Sequence, residues 1–210
     1  ATESLYLSVL SEFYQYLEAE NIRSANMAKI RFIIRNRGRR QGQRLPQYPK
    51  DEIERLIEYA DKLTQAPTDD DNERLRNLRD RALILTLADT GLRIHEACKL
   101  DRGSLDTRTR QAIVIGKGDK EAVIRFSGRA AKAIEDYLRE RTRIVDGKTG
   151  KPLVSHPLFA RHDRGSGREK VKRMTTRTGQ NIFDVRVGEA LGPDYIGQIT
   201  PHTLRHWFVP

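Results

Sequence analysis

Three short stretches of this 210-residue chain carry side chains able to work together on an anionic centre: Thr90-Gly91-Leu92-Arg93-Ile94-His95-Glu96, Gly116-Lys117-Gly118-Asp119-Lys120 and Pro201-His202-Thr203-Leu204-Arg205-His206. Two guanidiniums can hold an oxyanion with paired, directional hydrogen bonds where lysine offers only a point charge. Histidine, with a reference pKa near neutrality, can take or hold a proton. Each motif alone also has an ordinary reading. Arg93, after a glycine turn, can be a surface or ion-paired arginine, and Lys117 between two glycines can be an exposed turn lysine. His202 and Arg205, three apart, project from one helix face, yet a solvated histidine and an exposed arginine would look the same. Glu96, one turn after Arg93, can accept from a reacting group or form a plain i, i+3 salt bridge. His202 and His206 have the i, i+4 spacing of two metal ligands. The adjacent Glu of a zinc protease is missing, no Cys or acid cluster completes a shell, and Arg205 between them repels a cation, so no metal and no cofactor are expected.

The elements that must position these residues are mostly helical. Leu10, Phe13, Tyr14 and Leu17 recur at i, i+3, i+4 and i+7, predicting one amphipathic helix from Leu5 to about Glu20. One helix cannot bury enough apolar surface to stand alone, which suggests the tail of a larger helical domain. Gly38, Gly42, Pro46 and Pro49 punctuate a basic stretch that reads as a linker, with a boundary near residue 45. Ile53, Leu56, Ile57, Ala60 and Leu63 mark the next helix, and the nearly all-apolar Leu75 to Ala88 predicts a buried central one ended by Thr90-Gly91. Ala112 to Ile115 and Ala122 to Phe126 read as a β-hairpin with Lys117 at its tip. Helices over Arg129 to about Arg143 and around Gln180 to Leu191 follow, and Pro201 opens the last. The expected fold class is mainly α with a small antiparallel β-sheet.

Composition narrows the partner. Lys plus Arg number 39 against 29 Asp plus Glu, a net charge of +10, with pI near 9.9 and mean hydropathy −0.68, which favours a polyanion. Eight basic residues and no acid lie between Arg23 and Arg44, and seven basic residues against two acids lie between Arg161 and Arg177. No apolar run approaches the roughly 18 residues a membrane span needs. The single cysteine, Cys98, permits no intrachain disulfide and fits a reducing, cytoplasmic setting. The start at Ala1 carries no signal-peptide pattern and points to a fragment.

Taken together, an Arg, a Lys 24 residues later (117 minus 93) and a late His-x-x-Arg resemble the catalytic domain of the tyrosine recombinase family, the phage integrase or Xer-like recombinases. The resemblance implies residues 1–45 as the end of a helical core-binding, SAM-like domain with its basic linker, and 46–210 as the catalytic domain without its C-terminal part. It implies site-specific DNA cleavage and rejoining through a 3′-phosphotyrosine, by a homotetramer on two duplexes. Arg93 and Arg205 would clamp the scissile phosphate, where charge develops during transesterification. Lys117 would be the general acid for the 5′-hydroxyl and His202 a general base or hydrogen-bonding partner, with Glu96 beside them.

The chain departs from the family pattern after Arg205, where Trp207-Phe208-Val209-Pro210 stands in place of a Thr or Ser and a small residue. The family's third histidine or tryptophan and its nucleophilic tyrosine lie further along, and none of the tyrosines here follows Arg205. Two other readings share these residues: a DNA-binding module that holds phosphate without cutting, and a type IB topoisomerase working on single duplexes. Backbone binding by Arg23 to Arg44 predicts a duplex affinity whose log-log dependence on salt has a slope near 0.9 per phosphate neutralised. A titration between low and physiological salt that leaves affinity flat would refute it.

Overall fold

The computed structural model describes residues 2–38, 49–65, 67–116, 121–162 and 171–208. The chain divides into two units, residues 1–47 and 48–210. The first contains α1 (Thr2–Ala19) and α2 (Met27–Gly38), packed on each other. Sequence periodicity predicts α1 alone; α2 is a further helix inside the basic stretch. Asn26 starts it, its Oδ1 accepting the Lys29 amide at 3.0 Å. Ile30 and Ile33 then turn toward Phe13, Tyr14 and Leu17 across a cleft between the two helices. Phe13 remains 52% exposed, because two helices supply too little surface to enclose an apolar face. The expected linker at residues 39–48 lies outside the described residues.

The second unit is built around α4 (Asp71–Thr90). Asp70 caps its start by accepting the Asn72 amide at 2.9 Å. Leu83, Ile84, Leu85, Leu87 and Ala88 are all buried, the expected consequence of an apolar surface running round the helix. Around it pack α3 (Lys50–Lys62), α5 (Ile94–Lys99), α6 (Gly128–Ile144), α7 (Thr176–Leu191) and α8 (Pro201–Phe208). The sheet is antiparallel in the order β1 (Leu105–Asp106), β2 (Gln111–Ile115), β3 (Glu121–Arg125), with Ile113 opposite Val123. The expected class, mainly helical with a small antiparallel sheet, is what the structure has. Helix α7 begins a turn before the apolar pattern does because Thr175 caps it, accepting the Thr178 amide at 3.1 Å. No helix among the described residues is long and apolar enough to cross a membrane.

The core contains an arginine. Arg141 follows Ile134, Tyr137 and Leu138 on the inward face of α6 and is fully buried. Its Nε donates to Asp146 Oδ2 at 2.9 Å, its Nη1 to Leu158 O at 2.9 Å and Tyr137 Oη at 3.0 Å, and its Nη2 to Pro157 O at 2.9 Å. Arg102 pairs with the same Asp146 carboxylate. Burying a charge is tolerable only when it is paired and hydrogen-bonded. Here the pairing pins the Pro157 to Ala160 segment against α6, helped by the Ala160 amide donating to Tyr137 Oη at 3.2 Å.

Removing one partner of such a pair strands a buried charge, at a cost of about 3–5 kcal/mol, whereas an exposed pair contributes about 1 kcal/mol or less. Asp146→Ala is therefore expected to lower unfolding stability in urea severalfold more than Asp71→Ala, whose partner Arg143 is exposed. Equal losses would mean that the Arg141 network does not organise the core.

Candidate active site

The site begins where α4 stops. Gly91 closes that helix in the left-handed conformation, φ 61°, a region that favours glycine. The chain then turns extended through Leu92 into Arg93, the residue preceding α5. The Arg93 amide donates to Glu96 Oε2 at 2.8 Å and its Nη1 to Glu96 Oε1 at 3.0 Å. The i, i+3 pair anticipated from spacing is thus present, and the same carboxylate also caps the helix start.

Glu96 is buried, 8% exposed. Burial alone would raise its carboxyl pKa, but the backbone and side-chain hydrogen bonds from Arg93, with the charges of Arg93 and His95, hold it below the ordinary carboxylate value. It stays ionised to more acidic pH than a free glutamate, and its contribution to stability is lost only as pH falls through that lowered value.

Arg205 arrives from α8, 109 residues later (205 minus 96). Its Nη1 donates to Gly91 O at 2.6 Å and lies 3.9 Å from Glu96 Oε2. One buried carboxylate therefore faces two guanidiniums, and both keep solvent access: the Arg93 side chain is 50% exposed and that of Arg205 33%. This arrangement presents two cationic forks to an anion from outside.

Helix α8 is held so that Arg205 can reach. Thr200 and Thr203 exchange amide-to-hydroxyl hydrogen bonds at 3.1 and 3.2 Å, and Leu204 is buried in the core. The Phe208 ring sits against Gly91, where an added Cβ would come within 2.6 Å of its Cδ1. Glycine is thus needed at position 91 twice, for its dihedrals and for the close approach of α8, and its backbone carbonyl also receives Arg205.

His202 is exposed on α8, and its Nε2 lies 2.7 Å from His206 Nε2. Spacing predicts that His202 and Arg205 aim at one point; in the structure the guanidinium turns to Gly91 and Glu96 while the imidazole meets His206. Lys117, expected at the hairpin tip, lies outside the described residues, although β2 and β3 flank it in register with Ile115 opposite Glu121.

Sequence reasoning counted Arg173 only as one of a basic run. Its Nη1 donates to the carbonyls of Cys98, Lys99 and Leu100 at 3.1, 2.6 and 3.2 Å, and its Nη2 pairs with Asp101. It satisfies the C-terminal end of α5, the helix whose start carries Arg93 and Glu96, and places a cation at the negative end of the helix dipole. No local spacing signals this, since Arg173 and Leu100 are 73 residues apart. Cys98, on the same helix, is buried, its thiol pushed up to about 11 by that burial, so it is unreactive.

Residues 47–209 match the family model described as the phage integrase family. Among curated proteins, the chain is 31% identical over 210 residues to the tyrosine recombinase XerC of Pelotomaculum thermopropionicum, covering 99% of this chain and 60% of that one. It is 34% identical over 152 residues to XerC of Pelobacter propionicus, covering 72% of this chain and 43% of that one. The chain spans about 60% or less of the length of these relatives. Among solved structures its fold is similar to that of XerA recombinase, with a TM-score of 0.54 at 24% identity over 96% of this chain and 67% of the other. It is likewise similar to XerH recombinase bound to difH substrate, with a TM-score of 0.54 at 18% identity over 96% and 57%. The family match over most of the chain, together with two arginines and a glutamate converging at the α4–α5 junction, places this protein in the phage integrase family of tyrosine recombinases.

Proposed function

We propose that this chain supplies the phosphate-holding part of a site-specific DNA recombinase, residues 46–210 forming the body of its catalytic domain and 1–45 the end of a core-binding domain. The observation that carries the reading is the pair of solvent-accessible guanidiniums arranged on one buried, ionised glutamate. A scissile phosphodiester gains negative charge on its non-bridging oxygens during attack, and preorganised cations at that place stabilise the transition state without having to reorient. Arg93 and Arg205 fill this role, and Glu96 is a positioning residue that fixes both. His202 takes the nucleophile's proton or holds the phosphate, and Lys117 protonates the departing 5′-hydroxyl.

Relatives support the DNA partner: XerH recombinase has been solved with its difH substrate before and after cleavage. Double-stranded DNA is accordingly the proposed partner here, bound by a homotetramer on paired sites. The proposed nucleophile is none of the tyrosines in this sequence. Tyr137 is fully buried, its hydroxyl 2.7 Å from His162 Nε2 and 3.0 Å from Arg141 Nη1. The Tyr59 hydroxyl is 2.7 Å from Glu189, and burial together with that carboxylate raises its pKa, the wrong direction for an activated phenol.

The 210-residue chain is therefore expected to shift a nicked suicide duplex on a native gel and to leave no denaturant-resistant protein–DNA adduct. An adduct abolished by a tyrosine substitution within the chain would overturn the placement of the site. In the full-length protein, Arg93→Lys or Arg205→Lys keeps the charge but loses the fork. Cleavage is expected to fall on the order of 100-fold while duplex binding changes little; parallel losses in both would reduce these arginines to ordinary phosphate contacts. A 5′-thio leaving group needs no proton donor, so it should rescue full-length Lys117→Ala and not Arg93→Ala. Equal responses would move the general acid elsewhere.

A further inference from the structure

We propose that His202 and His206 form a two-histidine site for a borderline divalent transition ion, Zn²⁺, Ni²⁺ or Cu²⁺, and that the bound ion takes His202 out of the reaction. The two Nε2 atoms are 2.7 Å apart, yet the ring centres are separated by only 4.3 Å with the planes 84° apart. A straight N–H···N hydrogen bond would place the ring centres about 5 Å apart, because each ring adds its own radius along the line. The contact is bent. Both rings are rooted on α8, one turn apart, and both residues are exposed.

An ion bound at the usual metal–nitrogen length of about 2.0–2.1 Å would hold two imidazole nitrogens about 2.9 Å apart at a right angle and about 3.4 Å apart at the tetrahedral angle. The separation of 2.7 Å seen here would need to open by about 0.2 Å for the right angle and by about 0.7 Å for the tetrahedral one. Imidazole suits Zn²⁺, Ni²⁺ and Cu²⁺, and lacks the hard oxygens that Mg²⁺ and Ca²⁺ require. Among the described residues no group of three or more His, Cys, Asp or Glu surrounds a common point, so the proposed site rests on the two imidazoles.

Sequence spacing argues against a metal because Arg205 stands between the two histidines. The structure weakens that objection. The Arg205 guanidinium donates to Gly91 O at 2.6 Å and sits 3.9 Å from the Glu96 carboxylate, which also pairs with Arg93. Arg205 and Arg93 are thus turned to the α4–α5 junction and partly neutralised there.

Ion binding stands on this geometry alone, whereas its inhibitory effect rests on the role proposed for His202. A coordinated imidazole has no lone pair with which to accept a proton. In isothermal titration of the 210-residue chain, NiCl₂ should bind at one site that weakens at least tenfold in both His206→Ala and His202→Ala, with MgCl₂ giving no heat of binding. Melting curves matching the parent protein establish that the variants are folded. Ni²⁺ affinity unchanged in either folded variant, or no binding by the parent chain, overturns the proposal. In the full-length protein, ZnCl₂ should slow strand cleavage reversibly on chelation, and His206→Ala should remove that sensitivity. Binding without slower cleavage refutes the inhibitory half. A full-length protein that never cleaves DNA instead removes the recombinase reading and leaves the ion site standing.

Discussion

Glu96 is the carboxylate on which the site depends. It is buried, so it must be compensated, and the groups that compensate it are the amide and guanidinium of Arg93 and, across the fold, the guanidinium of Arg205. The cost of leaving a buried charge unpaired becomes the force that fixes two long, flexible side chains. Two arginines without such an anchor would have to give up rotamer entropy each time they met an anion.

The same device recurs away from the site. Asp80 on α4 accepts from Arg79 at 2.8 Å and from Arg186 of α7 at 2.9 Å, and Arg186 also reaches Asn77 at 2.8 Å. Asp146 gathers Arg141 and Arg102. In each case one buried acid serves two arginines, so a protein with ten more cations than anions carries positive charge into its interior without leaving it unpaired. These knots join elements distant in sequence: α4 to α7, α6 to the Pro157 segment, and α5 to α8. They hold by hydrogen-bond direction, whereas apolar packing alone permits small slides between helices.

Helix ends matter as much as helix faces. Gly91 ends α4 and lends its carbonyl to Arg205, Arg93 stands before α5, Arg173 satisfies the far end of α5, and Thr200 starts α8. Helix termini leave backbone groups without intrahelical partners. Here those groups are where arginine side chains attach, which ties the position of Arg205 to the termination of the central helix.

Much of this was legible from residue order. The apolar periodicities of α3, α4 and α6, the Thr90-Gly91 stop, the hairpin strands and the ordered Arg, Lys and His-x-x-Arg are local patterns, and local patterns survive in a linear string because burial on one face repeats every 3.6 or 2 residues. Arg141 had a signal too, since it falls seven residues after Ile134 on the inward face of α6. Helix α2 was missed because its charges blur the apolar stripe and its companions lie on another helix. The reach of Arg205 to Gly91, the service of Glu96 to two arginines and the cap that Arg173 places on α5 were decided only by tertiary structure. Each depends on the distance between groups far apart in the chain or on a rotamer choice, and sequence spacing encodes neither once the chain has turned a corner.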